Sequence, residues 1–375
     1  MKRIPAISTA VLLAVLLASC GAGENPFSDY ADEDDASSTP DTATDDGSAI
    51  DIGTTTNAGA SLPGTATATA YAPIFRREAK QADGGQSPGA GYLEAISIRD
   101  DGAGNTIFEV DGLPFDGDNT YALNTAFGVG DNGTPTAAFQ IFEGAATSTD
   151  PVTGTVNAND NYRAVYGRST SGNTEFAIVR DRDFFGYGFG GFVYQRNNTF
   201  TFPTCSGACT ATFSGAYGGI RVFTGRTGIE YVSGDAEVII DFEDFNGKKP
   251  GAKVWVYNRR LYDESGTDIT GAYMTALEGV DSTSGLIDDT SLPTVRPVIS
   301  EDTFDANGEF GNSVQAVAFN DDGTSTVTQS GTYYAMVSGE GADMEVVGVM
   351  VMTETDPRFT GVSTMETGGF ILYRN

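Results

Sequence analysis

The chain has 375 residues, of which 21 are basic and 51 acidic, so its formal net charge is −30 at pH 7. A surface this acidic repels nucleic acid and anionic lipid, and it excludes nucleic acid as an expected partner. Histidine is absent from the sequence, which removes the usual general base of Ser-His and Cys-His catalysis and the commonest ligand of zinc and haem.

The N-terminus has the pattern of a secretory signal peptide. Lys2 and Arg3 form a basic start, and an apolar run over residues 7–17 follows them. This run has the length of a signal-peptide core and is too short to span a bilayer. The pattern therefore predicts export of the chain across a membrane.

The apolar run ends at Leu17-Ala18-Ser19-Cys20, which resembles the bacterial lipobox. We expect residues 1–19 to be cleaved off, and Cys20 to be acylated and to anchor the chain in outer-membrane lipid. An aspartate after the cysteine would resemble the inner-membrane retention signal of enteric bacteria. Gly21 stands there instead, which favours sorting to the cell outer membrane.

Residues 20–91 are predicted to form a disordered acidic tether. This segment is rich in Asp, Ser, Thr and Gly, and it has no Lys or Arg between Gly21 and Phe75. Such a composition cannot bury enough apolar surface to offset the entropy of ordering the chain. Its expected role is to hold the folded body clear of the membrane, with recruitment of a partner as the alternative.

Residues 92–200 are predicted to be a strand-rich region. The segment "YLEAISIRDDGAGNTIFEVDG", which begins at Tyr92, has the pattern of a strand, a polar turn and a returning strand. Further short segments with alternating apolar residues continue to about residue 181, and none suggests a βαβ unit. We therefore predict an all-β fold.

An aromatic, glycine-rich segment, "GYGFGGF", occupies residues 186–192. A nucleotide-binding loop would need a parallel strand before it and a helix after it, and the sequence suggests neither. The main interpretation is an aromatic strand with glycine bends. The alternative is an exposed ligand-binding patch formed by Tyr187, Phe189, Phe192 and Tyr194.

Cys205 and Cys209 are separated by three residues in "CSGAC". In an oxidising compartment we expect a disulfide that stiffens this turn. Free thiols and a metal site are the alternatives, although a metal site would need further ligands that are not found nearby.

The acidic groups Asp181/Asp183 and Asp241/Glu243/Asp244 are expected to be solvated strand ends, with a weak cation site as the alternative. Lysine occurs at only five positions, 2, 80, 248, 249 and 253, and two of these lie in a predicted polar turn. No catalytic constellation is therefore expected. We predict a protein that is not an enzyme and carries no cofactor and no metal.

Residues 201–375 are predicted to form a small antiparallel barrel, because many strands of similar length follow one another between glycine-rich turns. Three segments carry a family resemblance. They are "FPTCSGACTATFSGAYGG" from Phe202, "SGDAEVIIDFEDFNG" with "GAKVWVYNR" from Ser233, and "GTYYAMVSGEGADMEVVGVM" from Gly331.

These segments resemble, in order, the barrel strands of the transferrin-binding protein B family, over about residues 184–374. The resemblance implies an eight-stranded barrel beside a smaller, handle-like strand region, in a surface lipoprotein of a Gram-negative bacterium. It also implies non-catalytic capture of an extracellular protein or solute carrier through barrel loops. The alternatives are a periplasm-facing structural or assembly lipoprotein and, less favoured, a hydrolase that uses carboxylates alone.

Overall fold

The computed structural model describes residues 75–76, 87–88, 96–100, 103, 105–110, 120–129, 136–149, 152–182, 190–205, 209–243, 250–280, 286, 288, 290–298, 304 and 307–375. The predicted signal peptide, Cys20 and most of the predicted tether lie outside these residues. Within the range assigned to the tether, Phe75–Arg76 pairs with Ser87–Pro88 as two short antiparallel strands.

The described residues form strands and one α-helix. In chain order they are β1 (Phe75–Arg76), β2 (Ser87–Pro88), β3 (Ile96–Asp100), β4 (Thr106–Val110), β5 (Thr120–Leu123), β6 (Gly128–Val129), β7 (Thr136–Ala137), β8 (Gln140–Gly144), β9 (Thr147–Thr149), β10 (Val156–Ala158), β11 (Tyr162–Arg168), β12 (Thr174–Asp181), β13 (Gly190–Arg196), β14 (Thr210–Thr224), β15 (Ile229–Asp241), β16 (Gly251–Tyr262), α1 (Thr270–Val280), β17 (Thr294–Pro297), β18 (Glu309–Phe319), β19 (Ser325–Ser338), β20 (Glu345–Thr355) and β21 (Ser363–Arg374).

The first half of the body is a seven-stranded antiparallel sheet in the order β13-β12-β11-β8-β5-β4-β3. Every residue of β12 is buried, so this strand is covered on both faces. One face carries a core that includes Phe108, Phe142 and Tyr166. The opposite face packs on the second half of the body, so the sheet has two apolar faces and no solvent-facing side at this strand.

The second half is a closed barrel of eight antiparallel strands in the order β14 to β21, with β14 paired to β21. This confirms the predicted all-β fold, with a barrel in the C-terminal half and a smaller strand region before it. Alternation of side chains explains the barrel's two surfaces. On β14, Phe213 and Tyr217 point into the interior, whereas Ile220 and Val222 face the seven-stranded sheet.

The connection from β16 to β17 contains α1, which the sequence did not predict. Tyr273 and Met274 of α1 are buried in the same apolar cluster as the barrel interior, so the helix covers one end of the barrel. We call this the helix end. Among the described residues, no helix combines the length and the apolar character needed to span a bilayer.

The sheet is held against the barrel by aromatic side chains that enter gaps left by glycine. A Cβ atom added at Gly369 of β21 would lie 2.3 Å from the ring of Phe176 on β12, so this ring occupies the space that a side chain would take. The ring of Phe139 packs edge-on against Phe176 at 4.8 Å between centroids. Glycine is therefore required at position 369 for the close approach of the two halves.

We predict that Phe176→Ala destabilises the protein by about 3–5 kcal/mol, because it leaves a cavity between sheet and barrel. The measurement is urea unfolding followed by circular dichroism. Phe319→Ala is the matched control, since Phe319 is 39% exposed, and it is expected to cost less than about 1 kcal/mol. Equal losses for the two variants would contradict this packing account.

Candidate functional site

A buried group of charged and polar side chains fills the barrel interior beneath α1. Its members come from seven elements and the β20–β21 turn, and we call them the ionic cluster. They are Tyr217, Arg221, Glu230, Arg259, Tyr273, Gln329, Glu354, Asp356, Arg358 and Glu366. Three guanidinium groups thus face four carboxyl groups, and the side chains of Arg221, Arg259 and Glu366 are fully buried.

Glu366 of β21 lies at the centre of this cluster. One of its oxygens accepts hydrogen bonds from the Tyr217 hydroxyl and from Arg259 Nη1, each at 2.8 Å. Arg259 also donates at 2.7 Å to the side-chain oxygen of Gln329 on β19. The side chains of Glu366 and Arg259 are both fully buried. A single carboxylate therefore links four barrel strands through charge-assisted hydrogen bonds.

Arg221 and Glu354 connect the cluster to the helix. Arg221 Nη2 pairs directly with one oxygen of Glu354, and the other oxygen accepts a hydrogen bond from the Tyr273 hydroxyl at 2.5 Å. The Tyr273 ring also lies under two guanidinium groups, those of Arg221 at 5.0 Å and Arg358 at 5.3 Å. One tyrosine of α1 therefore fixes the helix over the barrel by a hydrogen bond and two cation–π contacts.

The two central carboxyl groups titrate in opposite directions. Burial raises the pKa of Glu354, and the neighbouring Arg221 offsets this only in part. Burial alone would also raise the pKa of Glu366, but Arg259 and Arg221 together hold it below its ordinary value of 4.5. Glu366 is therefore the ionised partner of the two arginines, whereas Glu354 retains its proton to higher pH than an exposed glutamate does.

The chemistry of the cluster is that of a structural network. Burial, and then the charge of the nearby glutamate, raise the pKa of Tyr217 and Tyr273 well above 10, so both hydroxyls remain hydrogen-bond donors. The carboxylates are occupied by arginines, and α1 covers them. These contacts bind the strands to each other and to α1.

The opposite end of the barrel is filled by phenyl rings, and we call it the aromatic end. Its rings belong to Phe200, Phe202, Phe242, Phe304 and Phe310. Phe304 is central, with centroid distances of 5.4 Å to Phe310, 5.5 Å to Phe242 and 6.2 Å to Phe202. Phe242, Phe304 and Phe310 are buried, whereas Phe202 is 37% exposed.

Cys205 and Cys209 form a disulfide at this end, with a Cα–Cα distance of 5.6 Å, as the sequence predicted. The backbone carbonyl of Cys209 accepts a hydrogen bond from the Phe242 amide at 3.0 Å. The half-buried cysteines pack against the barrel core. The disulfide thus braces the segment that brings Phe202 over the barrel opening.

The predicted aromatic patch does not form on the surface at the positions that the structure describes. Phe192 and Tyr194 of β13 are 2% and 1% exposed, and both belong to the core between sheet and barrel. The prediction of exposure is wrong for these two residues because the barrel covers this face of β13. Tyr187 and Phe189 lie outside the described residues.

The prediction that the acidic groups are solvated strand ends is wrong for Asp181, which is 2% exposed. Asp181 is buried at the end of β12, and Asp241 is half-buried at the end of β15, while Asp183 and Asp244 lie outside the described residues. Within the described part of the chain, no three potential metal ligands come together.

The ionic cluster was not identified from the sequence, although the alternation of side chains along the strands indicates that some of its residues point inward. On β14, residues 213, 217 and 221 have the same parity, so Arg221 follows two inward aromatic residues. On β20 and β21, Glu354 and Glu366 likewise share the parity of inward residues such as Met352 and Phe370. A charge at an inward position of a barrel strand indicates a buried partner.

No protein-family model, no curated protein and no solved structure matches this chain.

We predict opposite pH dependences for two glutamine variants of the cluster. Glu366→Gln removes the charge that compensates Arg259 and Arg221, and it is expected to cost about 3–5 kcal/mol at neutral pH. Folding lowers the pKa of Glu366, so its ionised side chain stabilises the protein fully at pH values above its ordinary pKa. This stabilisation is lost as the pH falls and the side chain takes up a proton. The difference between wild type and this variant therefore shrinks below about pH 4.5.

Glu354→Gln is the matched control, and it is expected to cost less than Glu366→Gln at neutral pH. Folding raises the pKa of Glu354, so the wild type loses stability relative to this variant as pH rises above about 4.5. Urea unfolding of both variants and the wild type between about pH 2 and pH 8 measures both slopes. Parallel pH profiles for the two variants would show that the assigned ionisation states are incorrect.

Proposed function

We propose that this protein is an outer-membrane-anchored surface lipoprotein that captures an extracellular protein or solute carrier through loops of its barrel domain, without covalent catalysis. The observation that carries the proposal is the filled barrel. Side chains of the ionic cluster occupy the interior near α1, and phenyl rings occupy the other end. A ligand is then bound at the connecting loops or the outer surface, as in many rigid β-scaffolds.

The rest of the architecture supports the same conclusion. A closed barrel holds each loop on two paired strands, and the packed sheet stiffens one side of it. Preorganised loops lose little entropy on binding, so such a frame suits recognition. The lipobox at residues 17–20 and the ordered strand motifs that resemble the transferrin-binding protein B family support export, anchoring through Cys20 and capture.

Features of the interior also favour binding over catalysis. The chain has no histidine, and the buried carboxylates of the ionic cluster are engaged by arginine or tyrosine. Enzymes that rely on paired carboxylates need one acid and one base facing a shared substrate space. In this barrel the equivalent space is occupied by Tyr217, Gln329 and Tyr273.

Trypsin treatment of intact cells tests the orientation. The first basic residues of the mature chain are Arg76, Arg77 and Lys80, so surface exposure predicts release of a soluble fragment that begins at residue 77, 78 or 81. An abundant periplasmic protein that stays intact is the control for an unbroken outer membrane. Protection in intact cells, with cleavage only after lysis, would overturn surface capture and favour the periplasm-facing assembly role.

The anchor has its own control. Cys20→Ser removes the thiol that carries the lipid, so we expect this variant to leave the membrane fraction while its folded body retains the same unfolding transition. Retention of the variant in the membrane fraction would show that Cys20 is not the anchor.

A further inference from the structure

Arginine side chains lie over aromatic rings at both ends of the barrel. At the helix end, the guanidinium of Arg226 lies over both Phe223 and Phe359, at 4.3 and 4.2 Å from the ring centroids. At the aromatic end, the guanidinium of Arg196 lies over Phe200 at 5.9 Å. At the same end, Phe202 keeps 37% of its surface exposed above the buried rings of Phe242 and Phe304.

Phe202 is held in this position by the backbone. Two residues before it, Phe200 is bridged to Gly339 in the β19–β20 turn. The Thr201 amide donates to the Gly339 carbonyl at 3.1 Å, and the Gly339 amide donates to the Thr199 carbonyl at 3.0 Å. The disulfide between Cys205 and Cys209 braces the chain on the other side. An exposed aromatic ring fixed on both sides loses little entropy when a partner contacts it.

Exposed carboxylates follow, in the chain, the residues that contact the segment carrying this ring. The bridged Gly339 is followed by exposed Glu340 and Asp343, and Phe242, whose ring contacts Phe202, is followed by exposed Glu243.

Two arginines of this end bond to backbone carbonyls. Arg374 donates to Gly341 at 2.6 Å, and the buried Arg196 donates to Asn307 and Val337. Because their charges lie against the backbone, they add little attraction for an anion. Lys253 of β16, near the same end, is exposed.

We infer that the aromatic end is the capture surface, and that its partner is a basic polypeptide segment with an apolar side chain at its centre. The apolar side chain covers Phe202, and lysine or arginine side chains flanking it pair with Glu243, Glu340 and Asp343. Aromatic anchors at the centre of an interface with charges at the rim give this combination of affinity and specificity. The inference rests on the proposed capture function and names its site.

The probe is a short synthetic peptide of alternating lysine and leucine, and the matched probe replaces each lysine by glutamate. Binding to the full mature chain carrying Cys20→Ser is measured by calorimetry at several salt concentrations. We expect binding of the lysine peptide only, with affinity that falls as salt increases.

Two pairs of variants locate the site. Phe202→Ser is expected to weaken binding about tenfold, whereas Phe319→Ser, at a ring of similar exposure near the helix end (39% against 37%), leaves it unchanged. Glu340→Lys is expected to weaken binding and to reduce its salt dependence. Asp321→Lys, which makes the same charge change in the β18–β19 turn, is expected to affect it less.

Equal effects of the paired variants, binding of the glutamate peptide, or no binding of the lysine peptide would each overturn the inference. Thermal unfolding checks that every variant is folded, and if Phe202→Ser is not, the Glu340→Lys and Asp321→Lys pair decides alone. Failure here is distinguishable from failure of the proposed function. Surface exposure in the trypsin experiment with unchanged binding in these variants would leave capture standing at another surface.

Discussion

The pairing of Glu366 with Arg259 and Arg221 is the interaction on which the barrel depends. Removing these charges from water costs several kcal/mol of free energy per ion, and only correctly placed partners offset this cost. The partners come from β14, β16, β19, β20, β21 and α1. The native arrangement of all these elements must therefore form together, which gives the barrel one register and gives α1 one position.

The same constraint separates the two ends of the molecule. At the helix end, charge is buried and paired, and α1 seals it through Tyr273. At the aromatic end, the filling is apolar, and the segment that closes it ends in a disulfide rather than in a helix. An unpaired ion is costly when it is buried, whereas a phenyl ring is stabilised by burial and can remain partly exposed at modest cost. The aromatic end accordingly leaves Phe202 37% exposed.

The seven-stranded sheet adds rigidity to this frame. Its strand β12 is buried on both faces, and Phe176 enters the gap at Gly369 of the barrel. Phe192 and Tyr194 belong to the same interface, which explains why an aromatic, glycine-rich segment is structural here. Aromatic residues in a strand indicate a large apolar surface, but the strand alone does not show whether a second layer covers it.

Alternation and turn chemistry in the sequence by themselves indicated the all-β fold, the strand hairpins and a small antiparallel barrel. The spacing of Cys205 and Cys209 in an exported chain indicated their disulfide. Parity also placed Arg221, Glu354 and Glu366 on inward positions.

Only the tertiary structure decided that Arg259 joins them. Val254 and Val256 point inward on β16, so simple alternation would turn residue 259 outward. Asn258, with a positive φ of 53°, lies opposite the register shift between Ser233 and Asp235, and this bulge turns Arg259 into the interior. Local sequence carries no signal for that extra residue, because it depends on the partner strand and on the charge of Glu366 that the arginine meets.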